Sequence, residues 1–158
     1  MGIQWLFKIF KNQKLFYIFQ ITIIFFLLNT SFWMIKNHPH QYVYFNKFIS
    51  KNASKYFELD YAAASYKENL DYLINNEDKE IYNIWNSSQI RLWHPLFSLS
   101  DKNRKKFEET DKHKAEYWIT NYYLDNQNYD ENFFKKYELL NEVLIDGNKI
   151  NTLFKLKN

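Results

Sequence analysis

The strongest constraint on this chain is an uncharged run of 21 residues from Leu15 to Ile35. A helix of about that length spans roughly 30 Å, the thickness of the hydrocarbon core of a bilayer. Tyr17 and Trp33 lie near its two ends, where aromatic rings can sit at the depth of the lipid headgroups. No polar face recurs along the run at helical spacing, which argues against a core helix of a soluble protein. The run therefore predicts a transmembrane helix over residues 15–36.

A cleaved signal peptide is the alternative reading of the run. The run is longer than the apolar core of a typical signal peptide and no small-residue cleavage site follows it, so we expect a retained anchor. Lys8, Lys11 and Lys14 precede it with no acidic residue among them, and such clusters favour the cytoplasmic side. We therefore expect a basic, amphipathic cytoplasmic segment at 1–14. The protein would be a single-pass protein of the cytoplasmic membrane with residues 37–158 on the periplasmic or extracytoplasmic side.

Composition excludes several classes of function. The chain has no cysteine, which excludes a disulfide framework, a thiol nucleophile and a cysteine-based zinc site. Its two glycines are too few for a dinucleotide-binding or phosphate-cradling loop. The net charge of +3 is concentrated in residues 1–36, which carry four lysines and no acid. The larger part lacks a basic stripe, so we expect no nucleic-acid partner and no cofactor, with the lipid bilayer as the first partner.

The residues after the run predict an α/β fold: an aromatic juxtamembrane segment at 37–61, then a small domain at 62–158 with three to four strands. Apolar residues at helical spacing predict a helix over 62–75. Asp146 and Gly147 between alternating apolar stretches predict a C-terminal β-hairpin, with Leu140 and Val143 sharing one sheet face with Ile150, Leu153 and Leu156. The further expected elements are strands at 80–85, 96–99 and 115–122, a solvated helix or loop at 101–114, a polar connection at 124–131 and a helical turn at 132–136.

Four blocks after the run carry a family likeness. They are His38-Pro39-His40-Gln41-Tyr42-Val43-Tyr44-Phe45-Asn46, Phe57-Glu58-Leu59-Asp60-Tyr61, Ser65-Tyr66-Lys67-Glu68 and Ala115-Glu116-Tyr117-Trp118-Ile119-Thr120-Asn121-Tyr122. In this order they resemble the C-terminal region of polytopic bacterial glycosyltransferases of the protein O-mannosyltransferase-like group, which have the GT-C membrane fold. There the first three blocks read roughly HPYQYVYFN, FELDYWG and SYKE and follow the last transmembrane helix. The hairpin around Gly147 also fits.

The chain departs from this family in ways that bear on catalysis. Such enzymes have many spans and a catalytic acid in the first extracytoplasmic loop, whereas this sequence has one predicted span. The family's Trp-Gly after Asp-Tyr is Ala62-Ala63 here, and its glycine-containing segment after Asn46 is replaced by residues 47–51. The resemblance implies a non-catalytic last helix and outer domain, stand-alone, truncated or split from its enzyme. Hexosyl or mannosyl transfer would require the missing multi-span catalytic part.

The resemblance also implies partners and candidate positions. The partners would be a multi-span glycosyltransferase subunit and a polyprenyl-phosphate sugar, used at the outer face of the membrane. The candidate substrate-binding residues, by motif match, are His38, Tyr42, Tyr44, Asn46, Asp60 and Tyr61. The alternative function is a membrane-anchored binding or assembly module unrelated to sugar transfer.

The same residues have simpler interpretations. His38 and His40, with Glu58 and Asp60, could hold a divalent metal or a lipid phosphate, but an interfacial turn is favoured because no further ligand cluster supports the metal. No nucleophile accompanies the acids, so we expect no catalytic residue and expect Asp60 to cap the following helix. The aromatic run from Tyr42 to Tyr61 could stack sugars or pack on lipid, with ordinary core packing favoured.

Overall fold

The computed structural model describes residues 13–46, 48–123 and 129–157. It forms two compact units, the first ending at Gln41 and the second beginning at Tyr42. Most of the basic segment expected at 1–14 and most of the polar connection expected at 124–131 lie outside the described residues.

The first unit contains a single described helix, α1, from Gln13 to Lys36. Its 24 residues span about 36 Å, its mean hydropathy reaches 1.8, and none of its side chains is buried in protein. The helix is therefore long and apolar enough to cross a membrane. Asn37 ends it: both its backbone N and its side-chain Nδ2 donate to the Trp33 carbonyl at 3.0 Å, before the helix-breaking His38-Pro39 pair.

The second unit is built on a sheet of five strands in the order β2-β1-β3-β5-β4. Strands β2, β1 and β3 are parallel, whereas β5 runs antiparallel to both β3 and β4. The α/β class is confirmed, with five strands instead of three to four. The strands are β1 (Tyr82–Ser87), β2 (Phe107–Glu109), β3 (Tyr117–Thr120), β4 (Tyr137–Ile145) and β5 (Asn148–Leu156).

Short helices and turns connect and cover the strands. The helices are α2 (Ala53–Tyr56), α3 (Tyr66–Asn76), α4 (Trp93–Leu96), α5 (Asp101–Arg104) and α6 (Glu131–Lys136), and 3-10 turns occur at Gln41–Val43 and Ser50–Asn52. The predicted helical turn at 132–136 is confirmed by α6, whose N-terminus is capped by Asp130 accepting from Phe133 N at 2.8 Å.

Two predictions between β1 and β3 were wrong. The stretch 101–114, predicted as a solvated helix or loop, begins with the solvated helix α5 but also contains strand β2. Strand β2 has one buried apolar residue, Phe107, and its pairing to β1 defines it. The strand expected at 96–99 is instead helix α4 and a following turn. Pro95 is accommodated in the first turn of that helix, and the three-residue spacing of Leu96 and Leu99 brings both into the core.

Helix α3 packs its apolar side on one face of the sheet. It begins at Tyr66 instead of 62, and buries Tyr66, Leu70 and Leu73 completely. These side chains join a core cluster that includes Ile84, Ile119 and Leu153 from three adjacent strands. Burying one such Leu or Ile is worth about 1.5–3 kcal/mol, so this face supplies much of the stability of the second unit.

A second, aromatic cluster covers the opposite face. Trp118, Tyr137 and Phe154 are buried there. Phe133 of α6 packs over them, with ring centroids 4.9 Å from Trp118 and 5.0 Å from Phe154. Both contacts are edge-to-face, the arrangement that aromatic pairs favour.

The closing hairpin is confirmed. Asp146 and Gly147 have φ of 50° and 80°, as a type I′ turn requires. The expected single apolar face was wrong: Leu153 packs on the α3 side, whereas Leu156 packs with the aromatic cluster. A spacing of three residues cannot keep side chains on one face of a strand, where the period is two.

Candidate functional site

A cleft lies at the carboxyl end of strand β3. Strands β1 and β3 are parallel neighbours that end side by side, with Ser87 opposite Thr120. After β1 the chain turns to the α3 face, where Leu92 is buried. After β3 it leads to the aromatic face, where Phe133 packs. Ligands of open α/β sheets bind outside the carboxyl ends of strands where the connections diverge in this way.

The cleft has a volume of about 240 Å³. This is slightly below the roughly 300–1,000 Å³ of typical small-molecule sites, so it suits a small group or one end of a larger ligand. It is lined by residues 54–61, Asn121, Tyr122, Tyr123 and Lys149.

The floor of the cleft is organised by Asp60, whose side chain is 1% exposed. Its Oδ1 accepts hydrogen bonds from the Tyr42 hydroxyl at 2.7 Å, from Ala64 N at 2.9 Å and from Ser65 N at 3.5 Å. The Ser65 hydroxyl donates to Oδ2. The Asp60 carbonyl oxygen accepts from Asn121 Nδ2 at 2.7 Å. One residue therefore joins the juxtamembrane segment, the start of α3 and the loop after β3; we call this set the Asp60 network.

The environment of Asp60 opposes its ionisation. Burial raises the pKa of the Asp60 carboxyl above its ordinary value, and hydrogen bonds from Ser65 and Tyr42 act in the opposite direction. Burial, reinforced by the neighbouring Asp60, raises the pKa of Tyr42, so its phenol stays protonated and donates at neutral pH. All four contacts to the carboxyl come from groups of this same chain, which makes Asp60 a positioning residue.

The structure brings together three of the candidate residues. Tyr42 and Asp60 are hydrogen-bonded, and Tyr61 lines the cleft with its ring 59% exposed. Asn46 instead stabilises its own turn, since its Oδ1 accepts from Phe48 N at 3.1 Å and Ile49 N at 3.3 Å.

Of the six candidates only Asp60 and Tyr61 line the cleft. Tyr44 is 39% exposed. His38 belongs to the first unit, where its Nδ1 lies 2.7 Å from Gln41 Nε2. Asp60 was expected to cap the next helix, and it caps the turn just before that helix. Its carboxyl caps the turn at 64–65, and α3 itself begins one residue later.

Asn121, Tyr122 and Lys149 line the cleft but were absent from the sequence-based candidates. Tyr122 has φ of 63°, a left-handed backbone that costs a bulky residue about 1–3 kcal/mol. Its hydroxyl is hydrogen-bonded to Thr152 Oγ1, and its backbone N–H donates to Thr120 Oγ1 at 3.0 Å. The loop after Thr120 meets residues 54–61 only in the folded chain, so no local sequence pattern identifies it as part of a site.

The cleft offers aromatic rings, amides and cations. Tyr56, Phe57 and Tyr61 present exposed rings, Lys55 is exposed, and Lys149 is paired to Glu142 at 2.5 Å. The lining also contains the exposed acid Glu58. Its rings and amides suit a polar ring, and Lys55 offers a contact for a negative group on that ring. Within residues 13–46, 48–123 and 129–157, no group of three or more His, Cys, Asp or Glu side chains is placed to hold a metal ion.

None of the family models, curated proteins or solved structures compared with the chain matches it.

Proposed function

We propose that this chain is a membrane-anchored, non-catalytic C-terminal domain of a glycosyltransferase that uses lipid-linked sugars, acting at the outer face of the cytoplasmic membrane. One observation carries the proposal. The four blocks that resemble the GT-C enzymes are far apart in sequence, and each contributes a side chain or carbonyl to the Asp60 network. Tyr42, Asp60, Ser65 and Asn121 come one from each block.

The backbone at Ala63 supports the same proposal. Ala63 has φ of 53°, in the left-handed region that glycine adopts without strain. It occupies the position at which the resembling enzymes have glycine in their FELDYWG block. The chain keeps this turn although the glycine is replaced, as expected if the block serves the same local structure.

The role proposed is support and positioning. The buried carboxyl accepts its hydrogen bonds from the chain itself, which leaves it unsuited to act as a general base. Transfer chemistry would come from a multi-span companion. The ring of Tyr61 would contact the sugar, and Lys55 would attract the phosphate of a polyprenyl-phosphate carrier.

Genetic complementation and purification test this proposal in the native host. We expect deletion of the gene to reduce a surface glycan and the tagged full chain to restore it. A multi-span membrane protein with transferase activity should co-purify in mild detergent. Tyr61→Ala should lower the rate of glycan transfer about two- to tenfold, the equivalent of losing one ring contact of about 0.5–1.5 kcal/mol.

Phe97→Ala is the matched control, because Phe97 is 60% exposed and does not line the cleft. It should restore the glycan fully. Unchanged glycans after deletion, together with no multi-span protein in the purified sample, would contradict the proposal and favour the assembly module unrelated to sugar transfer.

A further inference from the structure

The segment that follows the predicted span exposes large aromatic rings on a folded domain. Phe48 is 95% exposed, Tyr56 75%, Tyr61 59% and Phe57 48%. We call these four residues the aromatic segment. Ordinary core packing, the favoured expectation for these rings, does not account for such exposure. Tyr56, Phe57 and Tyr61 line one cleft, so their exposed rings lie close together, and contiguous exposed apolar surface marks a contact surface.

The backbone of this segment is held against the sheet. Asn148, in the hairpin, donates through Nδ2 to the Ser50 carbonyl at 2.5 Å and accepts through Oδ1 from Ser54 N at 3.2 Å. Ala53 is buried, and the ring of Phe57 contacts that of Phe45 at 4.9 Å. The rings are therefore presented to the exterior by an ordered scaffold.

The short link to α1 and the charges beside the exposed rings indicate what covers the aromatic segment. Residues 37–47 separate α1 from Phe48, which limits that separation to roughly 40 Å even if fully extended. In the sequence from 47 to 61, lysines at 47, 51 and 55 accompany the rings, and of the two acids in this stretch Glu58 is exposed and Asp60 is buried. Tyrosine, phenylalanine and lysine together are typical of the bilayer interface, where rings enter the headgroup region and lysines attract anionic lipids at about 1 kcal/mol each.

We infer that the aromatic segment docks on the bilayer surface beside the anchor, giving the domain a second membrane contact. The ligand is an anionic phospholipid surface. Tyr56, Phe57 and Tyr61 also line the cleft, so docking would bring the edge of the cleft to headgroup level, where a lipid-linked sugar presents its phosphate. The inference rests on the membrane anchor of the proposed function.

Spin-label depth measurement tests the docking. The chain has no cysteine, so single-cysteine variants of the full chain carry one label each, in vesicles of phosphatidylethanolamine and phosphatidylglycerol. Labels at Phe48→Cys and Tyr56→Cys should lie about 5–10 Å below the lipid phosphates. The depth of each label is measured by comparing its collisions with oxygen, which enters the bilayer, with its collisions with a nickel complex that stays in water. The control Phe97→Cys should remain in water.

A label at Leu27→Cys, in the middle of α1, separates the two proposals. A lipid-buried Leu27 label with an aqueous Phe48 or Tyr56 label would overturn the docking and leave the anchor intact. An aqueous Leu27 label would overturn both. Labels at 48 and 56 shielded from both reagents would show that a second copy of the chain covers the segment, which also overturns the inference.

Discussion

Asp60→Ala should lower the free energy of unfolding of the second unit by about 3–5 kcal/mol. The substitution leaves the Tyr42 hydroxyl, the Ser65 hydroxyl and the Ala64 N–H without the acceptor they now share. Each buried donor left unsatisfied costs about 1–3 kcal/mol. The loss is large because one side chain links segments that are distant in sequence.

Urea unfolding of the full chain in detergent micelles, followed by near-ultraviolet circular dichroism, measures this loss. Glu58→Ala is the control, since Glu58 is two residues away and exposed, and it should change stability by less than about 0.5 kcal/mol. An Asp60→Ala variant as stable as Glu58→Ala would show that the Asp60 network does not hold these segments together.

Trp118→Ala should cost about 3–5 kcal/mol through loss of the aromatic cluster. Trp118 is 4% exposed, and its ring contacts Phe133, Tyr137 and Phe154 at centroid distances of 4.9, 5.6 and 5.6 Å. Removing the indole leaves a cavity under α6.

Trp118→Phe is the conservative variant. Nε1 of Trp118 is buried with no hydrogen-bond partner in the part of the chain that the structure describes, so replacing indole by phenyl removes an unsatisfied group and should cost less than about 2 kcal/mol. The same urea titration measures both variants. Equal costs for alanine and phenylalanine would contradict the packing explanation.

The sequence predicted those elements that form through interactions between residues close together in the chain. The uncharged run predicts α1, because hydropathy alone decides whether a helix of that length can enter a bilayer. Asp146 and Gly147 predict the hairpin, because a two-residue turn with positive φ needs such residues. β3 was predicted from its β-branched and aromatic residues, and forms the buried centre of the sheet.

The missed features depend on contacts between distant segments. β2 exists because Phe107 pairs with Tyr82, and its charged neighbours hide it in the sequence. The cleft brings residues 54–61 together with the loop after β3 and with Lys149 of β5, and no local sequence pattern predicts this contact between distant segments. Asp60 was singled out by its motif, but its connection to Asn121 joins residues 61 positions apart.

Cysteine labelling in intact cells of the native host tests the central claim that the folded domain works outside the cytoplasm. Lys102→Cys, exposed in α5, should react with a membrane-impermeant maleimide added to intact cells. Asn12→Cys, ahead of α1, should react only after the membrane is opened. Labelling of Asn12→Cys alone from outside, with Lys102→Cys protected until lysis, would place the domain in the cytoplasm and contradict the account.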